Sequence, residues 1–405
     1  MSKYYMEKQM VNNFNQLFYK DSYQKTFATK VIDSKTTKNK HWLAFEETCF
    51  YPLGGGQPGD QGYIQNLGTG QNNSEKITVL DTVWNQGKIW HHVSKLIPVD
   101  TKILGEINFE RRFDLMQQHS GEHIVSGIIN REYGYENVGF HINEVETTFD
   151  FDGDLTWEQI EKLELEANQA VLENIPIEIH YLDQASQKNW NYRSKLDLDD
   201  EIRIVHIPGY DTCACAGTHV RSTAEIGPIK IVDRESYKGG VRLTVLCGNR
   251  SLKYFQKLQN TVRESGALLS ANIDSLADAI KKKEIEVIDL NEKINQKNNE
   301  LIELILENNK LEKNIVLENP SFDKKEWNYV SSKIAENIDG FVAFIIKQSE
   351  NRHLLYLRSE QYNLKKHIEM FRTEINFKGG GNENLLQGPV LGDLQKIKDV
   401  LNNIN

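Results

Sequence analysis

Residues 115–123 read LMQQHSGEH, and residues 211–220 read DTCACAGTHV. Each stretch offers two metal-type side chains four positions apart, His119 with His123 and Cys215 with His219. Phe113, Met116, Ile124 and Ile128 recur at helical spacing around the first pair, so both histidines fall one turn apart on one helix face. The second pair follows a strand signal and holds a glycine, which reads as a bend. Either pair alone is ordinary, since histidines at this spacing mostly serve surface or packing. Together they supply three imidazoles and a thiolate, the borderline-soft donor set that suits Zn2+, the expected cofactor. A fold that joins them must pack a helix against a strand and turn about ninety residues away. Four ligands also suit a purely structural ion, but pairs drawn from different elements line clefts more readily than tight knuckles do. Glu122, between the histidines, either orients a ligand or a water, or faces solvent. Cys213 is a buried strand cysteine or an alternative thiolate.

The surrounding pattern predicts an α+β multidomain chain. Over 1–95, FATKVIDSK, HWLAFEETCFYP, KITVLDTVW and KIWHHVS alternate with polar or glycine turns. That predicts a small β-barrel interrupted by the glycine-rich stretch YPLGGGQPGDQGYI. Over 96–250 helix and strand signals mix into an α+β domain carrying the zinc ligands, with one helix opening at a Thr156–Gln159 capping box. Over 251–319 apolar residues follow a heptad from Ile273 to Ile315, predicting a coiled-coil-like helix or helical hairpin. Asn308, Lys283 and Lys297 interrupt that seam. Pro320 closes it, and 320–405 read as a small α/β domain containing KGGGNENLLQG.

Composition narrows the class. Four cysteines in 405 residues are too few for a disulfide scaffold and fit a reducing, cytoplasmic setting. No run approaches the ~18 apolar residues of a membrane span, and MSKYYMEKQMVNNF lacks a signal-peptide core. A net charge of −10 argues against non-specific coating of nucleic acid, yet a local basic surface can still grip RNA. Lys281–Lys283 and the segment 234–242 are the basic stretches weighed for that role, with solvated surface as the default.

HSGEH followed by CAGTH, with YPLGGGQPGDQG upstream, resembles the editing module of alanyl-tRNA synthetases and its free-standing relatives, the AlaX proteins. The resemblance covers roughly 25–250; the remainder is similar, more loosely, to the helical connector and DHH-associated domain of the long AlaX form. It implies that His119, His123, Cys215 and His219 hold zinc, and that Gln57, after Gly55 and Gly56, belongs to the editing pocket. Threonine often stands in the family where this chain has Glu122, a departure that bears on amino-acid discrimination. Gln57, Glu122 and Thr218 are the implied catalytic residues, with Gly55, Gly56, Gln57 and Ser120 as substrate contacts. Lys378, Gly379, Gly380 and Gly381 are the implied contacts to RNA backbone, against a plain reading of that run as a flexible turn.

The implied activity is hydrolysis of the ester in alanine tRNA mischarged with serine or glycine. Little chain precedes the barrel, so an ATP-using aminoacylation domain is not expected and the protein should remove amino acids, not attach them. The helical segment spaces the two ends, or pairs two copies into a homodimer, as the C-terminal domain also could. Two other readings stay open: a zinc hydrolase of a small-molecule ester or amide, and a non-catalytic tRNA-binding protein with structural zinc.

Overall fold

The computed structural model describes residues 16–67, 75–194 and 201–404. It divides into two compact units, Met1–Val262 and Arg263–Asn405. In the first, a short helix α1 (Leu17–Lys20) precedes six strands: β1 (Thr26–Thr37), β2 (Lys40–Phe45), β3 (Gly62–Asn66), β4 (Ile77–Asn85), β5 (Lys88–Val93) and β6 (Lys102–Ile107). They close a barrel in the order β1-β2-β5-β4-β3-β6. Alternation turns Val31, Leu43, Ile64, Val79 and Ile103 inward. The hairpins β1–β2 and β4–β5 turn at Lys38–Asn39 (φ 50° and 61°) and Gln86–Gly87 (φ 51° and 78°). Two consecutive left-handed residues suit a two-residue hairpin because their twist matches that of the strands. The barrel runs past residue 95: β6 pairs with both β1 and β3, so closure needs the strand at 102–107.

One residue, Asn108, separates β6 from α2 (Phe109–Tyr133), and its side chain caps the helix by accepting from Arg111 N at 3.1 Å. Gly134, at φ 70°, ends the helix. Between Leu115 and Ile129 every residue of α2 is buried, as expected of a helix covered on all sides. A four-stranded sheet, β12-β13-β8-β7, packs on it, built from β7 (Asn137–Ile142), β8 (Thr147–Phe151), β12 (Ile229–Tyr237) and β13 (Gly240–Cys247). α3 (Trp157–Glu173) completes the layer and opens on the expected capping box, with Thr156 Oγ1 accepting from Gln159 N and Gln159 Oε1 from Thr156 N. Beside it lie β9 (Glu178–Leu182), α4 (Gln184–Gln187), β10 (Ile202–Ile207) and β11 (Asp211–Ala214), the strands ordered β11-β10-β9.

Barrel and helix are tied together by Arg112, which is fully buried. Its Nε donates to both carboxylate oxygens of Asp60 at 3.1 and 2.9 Å, and its Nη1 to Ser22 O at 2.9 Å. Nη2 donates to Cys49 O at 2.7 Å and again to Asp60. One guanidinium thereby holds the chain ahead of β1, the segment after β2 and the glycine-rich stretch onto α2.

At the C-terminal side, α5 (Asn249–Leu269) and α6 (Leu276–Asn308) are separated by a turn. This corrects the heptad at both ends: Ile273 lies in that turn, and Ile315 opens a strand. Within α6 the face that is buried carries Asn298 and Ile302 against α7 (Trp327–Ala335), while Ile280, Val287 and Ile294 are exposed. β14 (Ile315–Glu318) runs parallel to β15 (Val342–Ser349), so the C-terminal sheet starts ahead of Pro320. β16 (Arg352–Arg358), β17 (Gly380–Gly381) and β18 (Leu385–Leu391) complete the order β14-β15-β16-β18-β17. α8 (Ile368–Ile375) and α9 (Leu394–Leu401) add Phe371, Ile375 and Ile397 to its core.

Removing one partner of a buried ion pair strands the other. Arg112→Met is expected to cost about 3–5 kcal/mol in chemical denaturation. A cost below about 1 kcal/mol would mean that Asp60 finds other partners.

Candidate metal centre

α2 presents His119 and His123 one turn apart, and the bend after β11 brings Cys215 and His219 up to them. The four donor atoms all lie within 4.8 Å of one another. Cys215 Sγ is 3.4 Å from both His119 Nε2 and His219 Nε2. A tetrahedral zinc site with its usual bond lengths sets neighbouring sulfur and nitrogen about 3.6 Å apart, so this spacing suits one shared cation. His123 Nε2 is buried beside them and makes no hydrogen bond among the described residues. A buried, unpaired ring nitrogen facing a thiol and two imidazoles is costly unless something binds it. The donor set therefore fits zinc.

Electrostatics agree. Burial opposes ionisation of Cys215, but the His119 imidazole, 3.4 Å away, outweighs it and holds the thiol well below its ordinary range, in the thiolate form a metal needs. Burial keeps His219 well below the usual imidazole range, hence neutral. Burial also works against protonation of His123, yet the Asp211 carboxylate, 2.7 Å from Nδ1, raises it to about 10. Asp211 is itself held by Arg193 through Nε at 2.9 Å and Nη2 at 2.8 Å. An outer carboxylate on a ligating histidine fixes its tautomer and orientation.

The glycine-rich stretch reaches the same place. Gln57 is fully buried; its Oε1 lies 3.0 Å from His119 Nδ1, and its Nε2 donates to Thr218 Oγ1 at 2.8 Å. Gly55 and Gly56 take left-handed φ of 56° and 81°, which the turn before Gln57 requires. Gly217 has a different reason: a Cβ there would sit 2.1 Å from His119 Cε1, so the bend can approach the ligand only without a side chain.

Ser120 is buried behind His219, with its hydroxyl 3.4 Å from His219 Nδ1 and accepting from Val220 N at 3.2 Å. It meets the cluster through His219. Glu122 does not face solvent. Its Oε1 accepts from Ser126 Oγ and Asn137 Nδ2, both at 2.6 Å, and its Oε2 lies 4.0 Å from His123 Nε2. Cys213 forms a second group with His123 and Asp211, and burial keeps its thiol well above the ordinary range, unlike Cys215.

Lys378, Gly379, Gly380 and Gly381 lie in the second unit. Gly380 and Gly381 form β17, paired with Gln387 and Leu386 of β18, so the run is a sheet edge and not a flexible turn. A Cβ at Gly379 would meet Gln387 O at 2.1 Å, which accounts for that glycine by packing. Gly380, Gly381 and Lys378 remain exposed.

Asp211 and Arg193 were not anticipated. Asp211, Cys213 and Cys215 are spaced two apart in DTCACA, and that strand period would have placed the carboxylate on the ligand face. Arg193 carries no comparable signal.

Removing the outer carboxylate by Asp211→Asn is expected to weaken zinc about 10- to 100-fold, measured by competition with a chromogenic chelator. An unchanged affinity would deny Asp211 its orienting role. Below about pH 10 His123 carries a proton that a cation must displace. Each zinc should therefore release about one proton near neutrality, and apparent affinity should rise with pH. Calorimetry in buffers of differing ionisation enthalpy reads both.

Residues 202–244 match the family model described as "Threonyl and Alanyl tRNA synthetase second additional domain". Over 95% of its length the chain is 28% identical to "Alanyl-tRNA editing protein AlaX-L" of Pyrococcus horikoshii, spanning 96% of that protein. It is 31% identical to "Alanine--tRNA ligase" of Ignicoccus hospitalis over 66% of this chain, but spans only 30% of that enzyme. It is 32% identical to "Alanyl-tRNA editing protein Aarsd1-B" of Xenopus laevis, over 65% of this chain and 62% of the relative. The matches converge from free-standing and synthetase-borne relatives alike. The chain is similar to alanyl-tRNA editing proteins and to the corresponding segments of alanine–tRNA ligases.

Proposed function

We propose that this protein is a trans-editing aminoacyl-tRNA deacylase, a hydrolase that cleaves the ester of alanine tRNA mischarged with serine, and with glycine as a second substrate. The observation that carries the reading is the His119, His123, Cys215 and His219 cluster, with Gln57 and Thr218 hydrogen-bonded at its rim. Relatives named for alanyl-tRNA editing support it.

Zinc held by those four residues would supply Lewis-acid assistance to ester cleavage. The remaining work falls to side chains. Glu122 Oε2 takes a proton from the attacking water as its oxygen bonds to the ester carbonyl carbon. That proton passes to the ribose oxygen as the carbon–oxygen bond breaks, releasing free amino acid and tRNA. Ser126 and Asn137 hold the other carboxylate oxygen and fix the direction of the free one. Gln57 and Thr218 lock His119 and the bend in place, and offer polar atoms to a serine hydroxyl. A serine hydroxyl would gain a hydrogen bond there that a methyl cannot make, the kind of contrast that separates serine from alanine when size cannot.

In the second unit, exposed Lys378, Gly380 and Gly381 at the sheet edge suit contact with RNA backbone. The exposed apolar residues of α6 suit pairing with a second copy. No helix of the described residues is long and apolar enough to cross a membrane. The sparse cysteines suit a reducing setting, and on that ground the location proposed is cytoplasmic.

Wild type is expected to clear Ser-tRNA(Ala) and to spare Ala-tRNA(Ala) and Ser-tRNA(Thr), with His123→Ala inactive yet folded. Glu122→Gln should lower kcat by about 10²- to 10⁴-fold. Zinc-loaded wild type that clears none of these substrates rejects the proposal. A chain that unfolds when chelated, and binds tRNA without clearing it, favours the reading as an RNA-binding protein with structural zinc.

A further inference from the structure

The outer face of the barrel carries aromatic and basic side chains that the metal centre does not use, among which Trp42 and His92 are partly exposed while Trp90 and Ala44 are buried. Residues directly opposite one another on antiparallel strands share a face. Lys35 opposes Trp42, Trp42 opposes His92, and His92 opposes Asp81, which makes one row across β1, β2, β5 and β4. One step nearer the β4–β5 hairpin, Asp33, Ala44, Trp90 and Val83 make a second row, and Val83 bridges to Leu53. Leu53 is 55% exposed and starts the segment that runs through Gly55 and Gly56 to Gln57. The rows form a strip that ends at Leu53, four residues before the Gln57 that meets His119.

Its chemistry is distinctive. The Trp42 and His92 rings lie 5.1 Å apart at 32°, and both are only partly buried. Lys35 Nζ sits 3.5 Å over the Trp90 ring. At the far end, Lys38 and Lys40 are exposed and form no ion pair among the described residues. The acids on this face are Asp33, paired with Lys88 at 2.7 Å, and Asp81, which accepts from Thr82 N. Four lysines therefore face two carboxylates in a chain of net charge −10. The segment 234–242 has no such surplus, since Arg234 pairs with Asp154 and Arg242 with Asp150.

Resting on the function proposed above, we infer that this strip is a track for the single-stranded 3′ end of the RNA. Bases stack on Trp42 and His92, phosphates meet Lys35, Lys38 and Lys40, and the terminal nucleotide passes Leu53 toward Gln57. Aromatic platforms flanked by lysines bind single strands because every base has a face to stack. Paired bases are already stacked on their neighbours, so duplex RNA gains only the phosphate contacts.

The test is fluorescence anisotropy of the full-length protein with a short uncharged single-stranded RNA ending in adenosine, and with a blunt RNA duplex as control. Wild type should prefer the single strand. Trp42→Ala should weaken it about fivefold or more, and Trp42→Phe should restore most of the loss. Lys38→Ala with Lys40→Ala should flatten the slope of log affinity against log salt by about 1.4, as two phosphate contacts disappear. The track is overturned if Trp42→Ala, folded by circular dichroism, binds as wild type does, or if wild type prefers the duplex or binds neither RNA. Wild type that shows the expected binding pattern but clears no aminoacyl-tRNA overturns the hydrolase reading and upholds the track.

Discussion

The arrangement depends on one buried charge. Arg112 has no contact with solvent, and a guanidinium in that position must satisfy its N–H groups internally. It does so with Asp60 and with two backbone carbonyls from separate parts of the chain. Asp60 lies three residues beyond Gln57, and Arg112 two helical turns before His119. The ion pair thus sets the distance between the glycine-rich stretch and the helix that carries His119, and the hydrogen bond from His119 Nδ1 to Gln57 Oε1 follows from it. A hydrophobic pair could fill the same volume, but it would not specify the register of loop on helix so narrowly.

The site balances two demands. Four protein donors can close a tetrahedron, the arrangement typical of a structural ion. The surroundings pull the other way. Asp211 and Arg193 orient His123 from outside, and Glu122 directs an oxygen toward the cluster from a buried position held by Ser126 and Asn137. The proton-carrying role proposed for Glu122 rests on that arrangement, with one oxygen anchored and the other 4.0 Å from His123 Nε2.

Legibility in the sequence followed range. The ligand pairs, the capping box of α3 and the strands of the barrel are local patterns of period 3.6 or 2, and they appear where those periods place them. Arg112 with Asp60 is a pairing over 52 residues, and no local period marks which arginine will be buried. The heptad failed at its ends for a related reason. Apolar spacing at Ile273 and Ile315 is compatible with a helix, but a turn and a parallel strand offered those residues other partners. The glycines at 379–381 suggested mobility, yet glycine is equally what two closely packed strands demand, and only the contact with Gln387 distinguishes the cases.

The two tight corners of the barrel limit how such a chain can vary. Each joins its strands through two left-handed residues, so pairing is locked from the corner outward. Adding a single residue at Lys38–Asn39 would turn the side chains of β2 over, sending Trp42 toward the interior and Leu43 toward water. Length changes there are tolerable only in even steps, or with a bulge that absorbs the odd one. The corners act as phase markers, fixing which half of each strand's chemistry the solvent sees.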